Sequence, residues 1–213
     1  MKRHIFLALL LAAFATAAMA QKQNVKKTPA APAAEKTYIL TEQGVDVLVY
    51  GKKLKLQPPA GSIYDKFVKN YTNDYGVTFY TLRKKRKDIG RVAVSEGKIA
   101  GIHMSAPNVY TDNGINPGTK LVEALKKDGV KATMYYNFVE DYYAIDVFYE
   151  GIGLEGFVTE LSAEGIKKQQ LIEKETNKWV TDGNNGDQPT TTLGSDDFLE
   201  TLTIGEIGYG IAY

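Results

Sequence analysis

Two neighbouring runs in this chain gather aromatic, amide and carboxylate side chains. In residues 131–139, Ala132, Met134, Tyr136 and Phe138 alternate with the rest, and in 142–149, Tyr143, Ile145, Val147 and Tyr149 do the same. A turn at Glu140-Asp141 pairs Phe138 with Tyr143, Tyr136 with Ile145 and Met134 with Val147, so both apolar sets fall on one side of a hairpin. The other side then carries Tyr135 across from Asp146, with Asn137, Tyr142 and Phe148 nearby. Rings that stack, with an amide and a carboxylate that orient hydroxyls, make this a candidate surface for a glycan or peptide. The competing account has a helix covering this face and the rings serving as core; with 14 tyrosines, clusters arise easily.

Two further constellations carry charge. Lys84, Lys85, Arg86 and Lys87 would meet anionic headgroups, glycans or an acidic partner, although a hairpin tip keeps such charges simply solvated and protects an edge. Asp182, Asn184 and Asp187, within Asp182-Gly183-Asn184-Asn185-Gly186-Asp187, offer oxygen ligands of the kind calcium prefers. Asp187, however, holds the sixth position, where an EF-hand places glycine, and an Asn/Gly turn explains the run as well.

Composition removes many reactions. There is no cysteine, so thiol catalysis, disulfides and thiolate-bound metal are excluded. Of two histidines, His4 falls in the N-terminal apolar segment, which leaves His103 for the rest; a multi-histidine metal site is excluded. His103 sits in an expected strand opposite the Ala100, Ile102 and Met104 face, where a surface position is expected. No nucleophile elbow, phosphate loop or HExxH is found, and no cofactor is expected. For catalysis there remain paired carboxylates, but Glu140-Asp141 and Asp196-Asp197 are adjacent and turn-like, unlike carboxyls held across a cleft.

The elements that position these residues follow from pattern and punctuation. Residues 1–20 join Lys2 and Arg3 to an apolar run, Ile5 to Ala17, and a small-x-small site at Ala18-Met19-Ala20, which reads as a cleavable signal peptide. The chain has 26 basic and 25 acidic residues; removing Lys2 and Arg3 leaves 24 against 25, a balance that gives no field for nucleic acid. Residues 21–36 read as a Pro/Ala/Lys-rich disordered leader, and 37–213 as one domain. Within it, Val45 to Tyr50 is strand-like and continues through Leu54 and Leu56. Ser62, with Asp65, caps a helix over 62–74 with Ile63, Phe67 and Tyr71 on one stripe. A three-stranded meander over 77–83, 89–95 and 98–104 turns at 84–88 and at Glu96-Gly97. A helix over 119–128 buries Leu121, Val122 and Leu125 and stops at Gly129. Past the hairpin, a Gly-rich stretch at 151–156, a strand near Phe157, a helix over 163–176, a loop at 182–188 and a final strand region from Phe198 complete the chain. The fold class is α+β: a mostly antiparallel sheet with two or three short helices.

Two segments share a rhythm: Gly44-Val45-Asp46-Val47-Leu48-Val49-Tyr50-Gly51 before Lys52-Lys53-Leu54, and Gly114-Ile115-Asn116-Pro117-Gly118 before Thr119-Lys120-Leu121. With Ile102-His103-Met104-Ser105-Ala106-Pro107-Asn108 ahead of the second, the arrangement resembles uncharacterised exported or lipid-anchored envelope proteins of Gram-negative bacteria. It departs from them at Asp46, where a small residue is expected, and in lacking a lipid-bearing cysteine. The resemblance implies a fold and a location, and no reaction.

The expectation is therefore a non-enzymatic exported binding or envelope-associated protein, periplasmic or secreted, whose partner is a glycan, a peptide or an envelope protein. A carboxylate-based hydrolase is one alternative. An outer-membrane barrel is another, since Ile207, Tyr209, Ile211 and Tyr213 alternate as lipid-facing residues do; only that alternative brings membrane contact.

Overall fold

The computed structural model describes residues 36–211, apart from 56, 157–159 and 185. The expected signal peptide, nearly all of the leader and the strand near Phe157 lie outside these residues.

Three minor strands come first: β1 (Tyr38–Ile39), β2 (Gly44–Val45) and β3 (Leu48–Val49). Then follow β4 (Lys66–Thr72), β5 (Thr78–Lys84), β6 (Lys87–Ser95), β7 (Lys98–Met104) and β8 (Val109–Tyr110). A single helical turn, α1 (Leu121–Ala124), precedes β9 (Val130–Asn137), β10 (Tyr142–Tyr149) and β11 (Ile152–Glu155). The helix α2 (Ala163–Thr181) and the strands β12 (Thr191–Leu193) and β13 (Glu206–Gly210) complete the order. Nine strands form one sheet in the order β12-β9-β10-β11-β13-β7-β6-β5-β4, and each of its pairings is antiparallel. The molecule is thus α+β, a mostly antiparallel sheet with few helices: two among the described residues, one a single turn of 4 residues and the other 19 residues long.

The meander forms as its pattern requires. Lys85 and Arg86, at φ 47° and 71°, make a two-residue turn, tighter than the five-residue connection expected. Glu96 and Gly97 make the second turn. Two-residue turns with positive φ match the right-handed strand twist, so they close hairpins without splaying them. On the inner face Leu82, Val92, Ile102, Met104, Ile207 and Leu154 are buried together with Leu40, Leu48, Tyr64 and Leu121 from the surrounding segments.

Residues 66–72 form a strand, not the helix expected over 62–74. The i, i+4 stripe is satisfied differently: Phe67 meets Tyr80 edge-on at 5.2 Å and Tyr71 lies 4.8 Å from Phe79, with a bulge at Asn70 between them. The capping residues are also engaged elsewhere. The Ser62 hydroxyl donates to Pro59 O (2.7 Å), and the Asp65 carboxylate accepts from Lys85 N (2.8 Å) and pairs with Lys84 (3.0 Å). A ready partner in the β5 edge outweighs a weak local preference, as β-pairing routinely does.

Other boundaries shift as well. The helix expected over 119–128 shrinks to α1, which still buries Leu121 and Val122. The helix over 163–176 extends to Thr181; Ser162 caps it by accepting from Gly165 N, and Ile172 and Thr176 are buried. The β9–β10 hairpin has a four-residue loop, so Tyr136 pairs with Tyr143 and Met134 with Ile145. This register is two residues from the one expected, and a two-residue shift leaves every side chain on its anticipated face. The Gly-rich stretch is an interior strand, β11, entered through a two-residue turn at Glu150 and Gly151. Ile207 is fully buried, so the C-terminal alternation is that of an interior sheet strand. Among the described residues β12 and β4 end the sheet, which does not close on itself.

Candidate functional site

Helix α2 covers the inner face of β9 and β10. Tyr143 donates to Glu173 of α2, and Phe138 lies 6.2 Å from Trp179. The opposite face is left uncovered there, with Tyr142, Asp146 and Phe148 exposed and Tyr135 and Asn137 half-buried. β10 meets β11 only through Phe148–Gly153 and Tyr149–Ile152. Beside this short seam lies a cavity of about 340 Å³, lined by Tyr142, Asp146 and Phe148 on one side and Gly153, Glu155 and Gly156 on the other.

Three of the five residues expected at a ligand surface therefore share a groove. The other two do not line it. Asn137 is a turn residue: its side-chain oxygen accepts from Val139 N (3.1 Å) and Glu140 N (3.2 Å). Tyr135 is on the same face but outside the lining, its phenol raised by burial and by the nearby Asp146 and Tyr142.

Four more residues stand on the same side: Arg91, Glu155 and Glu206, which the sequence reading passed over, and His103, which it placed at the surface. Arg91 and His103 are opposed on β6 and β7, and Glu155 and Glu206 are opposed on β11 and β13. All four project on the groove's side of the sheet. Arg91 is ion-paired with Glu206, and His103 Nδ1 lies 3.3 Å from Glu155 Oε2. His103, expected at the surface, has only 1% of its area accessible. The reason is the chain that follows β13. Gly210, at φ 85°, turns it so that Ile211 N donates to Ala100 O (2.9 Å), and Ile211 O lies 3.2 Å from His103 Nε2.

Glycines make room for this cluster. Gly153 and Gly208 are paired across β11 and β13. A Cβ on Gly208 would collide with the His103 ring, and one on Gly153 would lie 2.8 Å from Glu155 Oε1. The signal was legible in part: Gly153-x-Glu155 and Glu206-x-Gly208 each alternate a polar residue with a bare position. Pairing them requires the sheet order, which residue spacing does not contain.

Electrostatics divide the groove's two carboxyls. The neighbouring His103 ring holds Glu155 below the usual carboxylate range, aided by the charge of Arg91 and opposed by burial. Burial, then the Glu155 charge, raises Asp146. The sequence-adjacent acidic pairs act structurally. Asp141 accepts from the Tyr136 hydroxyl (2.6 Å), and the buried Asp197 pairs with Lys168 (2.7 Å) and accepts from Gly194 N (2.7 Å).

The charged runs fold as turns. Lys84 is tied to Asp65 and to Ser62 O (2.5 Å), while Lys85, Arg86 and Lys87 are exposed at the hairpin tip. Asp182 pairs with Lys178, Asn184 N donates to Trp179 O (3.3 Å) at the end of α2, and Asp187 is exposed. No helix of the described residues is long and apolar enough to cross a membrane.

No family model matches this chain, and no curated protein does either. Among solved structures it is similar to the uncharacterized protein yfeY from Escherichia coli, with 15% sequence identity and a TM-score of 0.44, over 81% of this chain and 99% of that one.

Proposed function

We propose that this chain is an exported, non-enzymatic binding protein whose ligand lies in the groove between β10 and β11. The observation that carries this reading is the lining of that groove. The exposed rings of Tyr142 and Phe148 flank the carboxylates of Asp146 and Glu155, above a floor opened by Gly153. Stacking surface beside hydrogen-bond acceptors suits a sugar unit or a short peptide of matching size. Export rests on the pattern of residues 1–20.

A panel of soluble envelope oligosaccharides and short peptides, titrated by calorimetry, tests the idea. Tyr142→Ala with Phe148→Ala is expected to abolish the binding found while shifting Tm by no more than about 3 °C, because both rings are solvent-accessible. A collapse of stability would assign the rings to packing instead, and binding that survives the double substitution would place the ligand elsewhere.

A further inference from the structure

The His103, Glu155 and Glu206 side chains each bring one donor atom to a common point, all within 4.8 Å of one another. They stand on three neighbouring strands, β7, β13 and β11, so the sheet itself fixes their spacing. A site built on strands holds its geometry better than one built on loops.

The imidazole is oriented by what lies behind it. Ile211 O, 3.2 Å from Nε2, is a backbone carbonyl and can only accept, so Nε2 carries a proton. In the neutral ring Nδ1 then presents a lone pair, and what it faces is the Glu155 carboxylate at 3.3 Å. Two lone pairs so opposed require an electropositive centre between them, either a second proton or a metal ion. The separation favours the metal. A charge-assisted N–H···O⁻ bond spans about 2.7–2.9 Å. The edge of a tetrahedron with metal–ligand bonds of about 2.0–2.1 Å is about 3.3 Å. A carbonyl holding the remote N–H is also the usual outer partner of a metal-bound histidine.

We propose that His103 Nδ1, Glu155 and Glu206 bind a divalent transition-metal ion of the zinc type. One imidazole and two carboxylates suit zinc, whereas calcium and magnesium take oxygen ligands throughout. Arg91 holds Glu206 through an ion pair and offsets one of the two carboxylate charges, leaving a net negative cradle for a dication. Arg91 thereby acts as a positioning residue. Glu155 is shared with the lining of the groove. The site does not depend on what fills the groove, so metal binding is measured on the protein alone.

The purified protein, stripped with a chelator, is titrated with Zn²⁺ by calorimetry and with Co²⁺ by visible absorption. One equivalent of each is expected to bind saturably, Co²⁺ with the intense bands of a four-coordinate site, and excess Ca²⁺ or Mg²⁺ is not expected to compete. His103→Asn, Glu155→Gln and Glu206→Gln are each expected to weaken Zn²⁺ binding by about tenfold or more. Circular dichroism of the metal-free variants verifies folding, and Glu155→Gln, at a half-exposed position, guards against loss of fold in His103→Asn. Absence of saturable binding to the folded wild type would overturn the proposal, as would binding indifferent to all three substitutions. In the first case, nitrogen NMR showing both His103 ring nitrogens protonated would identify the proton as the centre that fills the gap.

Discussion

The geometry around Gly208 shows how a single position can decide whether a cluster forms. His103 is nearly inaccessible, yet it stands on the face of the sheet opposite the apolar core. It fits because the residue across from it on β13 has no side chain, and because the chain beyond Gly210 closes over the ring. Gly208→Ala is therefore expected to displace the ring and destabilise the protein by about 1–3 kcal/mol, a usual cost of overpacking. Urea denaturation measures it; a variant as stable as wild type, with its Zn²⁺ affinity retained, would contradict the close packing described. Glu155 belongs to the same argument, since its carboxylate lies over Gly153. Gly208→Ala would look conservative in the sequence alone.

At the scale of elements, the β9–β10 hairpin links the groove to helix α2, and its loop is held by polar contacts. Asn137 accepts from two loop N–H groups, and the Tyr136 hydroxyl donates to Asp141 (2.6 Å). That hydrogen bond, then burial and the charges of Asp141 and Glu173, push the Tyr136 phenol up to about 12 from 10.0. A pKa raised on folding means that the native state holds the proton more tightly than the unfolded chain. The stabilisation is complete below pH 10 and is lost as pH rises from 10 through about 12. Tyr136→Phe lacks this group, so the stability advantage of wild type over the variant is expected to shrink across that window. Denaturation of both proteins at a series of alkaline pH values is the check, and a constant difference would rule out the linkage. The hairpin also shows what periodicity reads well. Alternation assigned the side chains of Lys131–Asn137 and Tyr142–Tyr149 to their observed faces, while the pairing register was off by two because the loop length was not encoded in the apolar pattern. At 66–72 the same reasoning failed. Phe67 and Tyr71 satisfy a helical stripe as readily as an edge strand with a bulge, and only the neighbouring β5 selects between them.

For the whole molecule, export and assembly are separate questions. The N-terminal pattern predicts that cleavage after Ala20 releases a chain beginning at Gln21, without a lipid because no cysteine is present. Mass spectrometry of the protein recovered from the envelope fraction tests this: a retained N-terminal segment or an added acyl mass would count against it. The assembly of the site depends on long-range closure. Arg91 and Glu206 are 115 residues apart in the chain, and His103 and Ile211 are 108 apart. By itself the sequence determined the absence of thiol and multi-histidine chemistry, the meander, the faces of the hairpin and the predominance of antiparallel sheet. Those follow from composition and from local alternation, which each short segment carries within itself. Tertiary structure alone decided that β13 inserts between β7 and β11, and with it that two lone glutamates, one arginine and the single strand histidine become neighbours. Strand order is set by which surfaces bury best together, a property of the complete chain that no segment's spacing records.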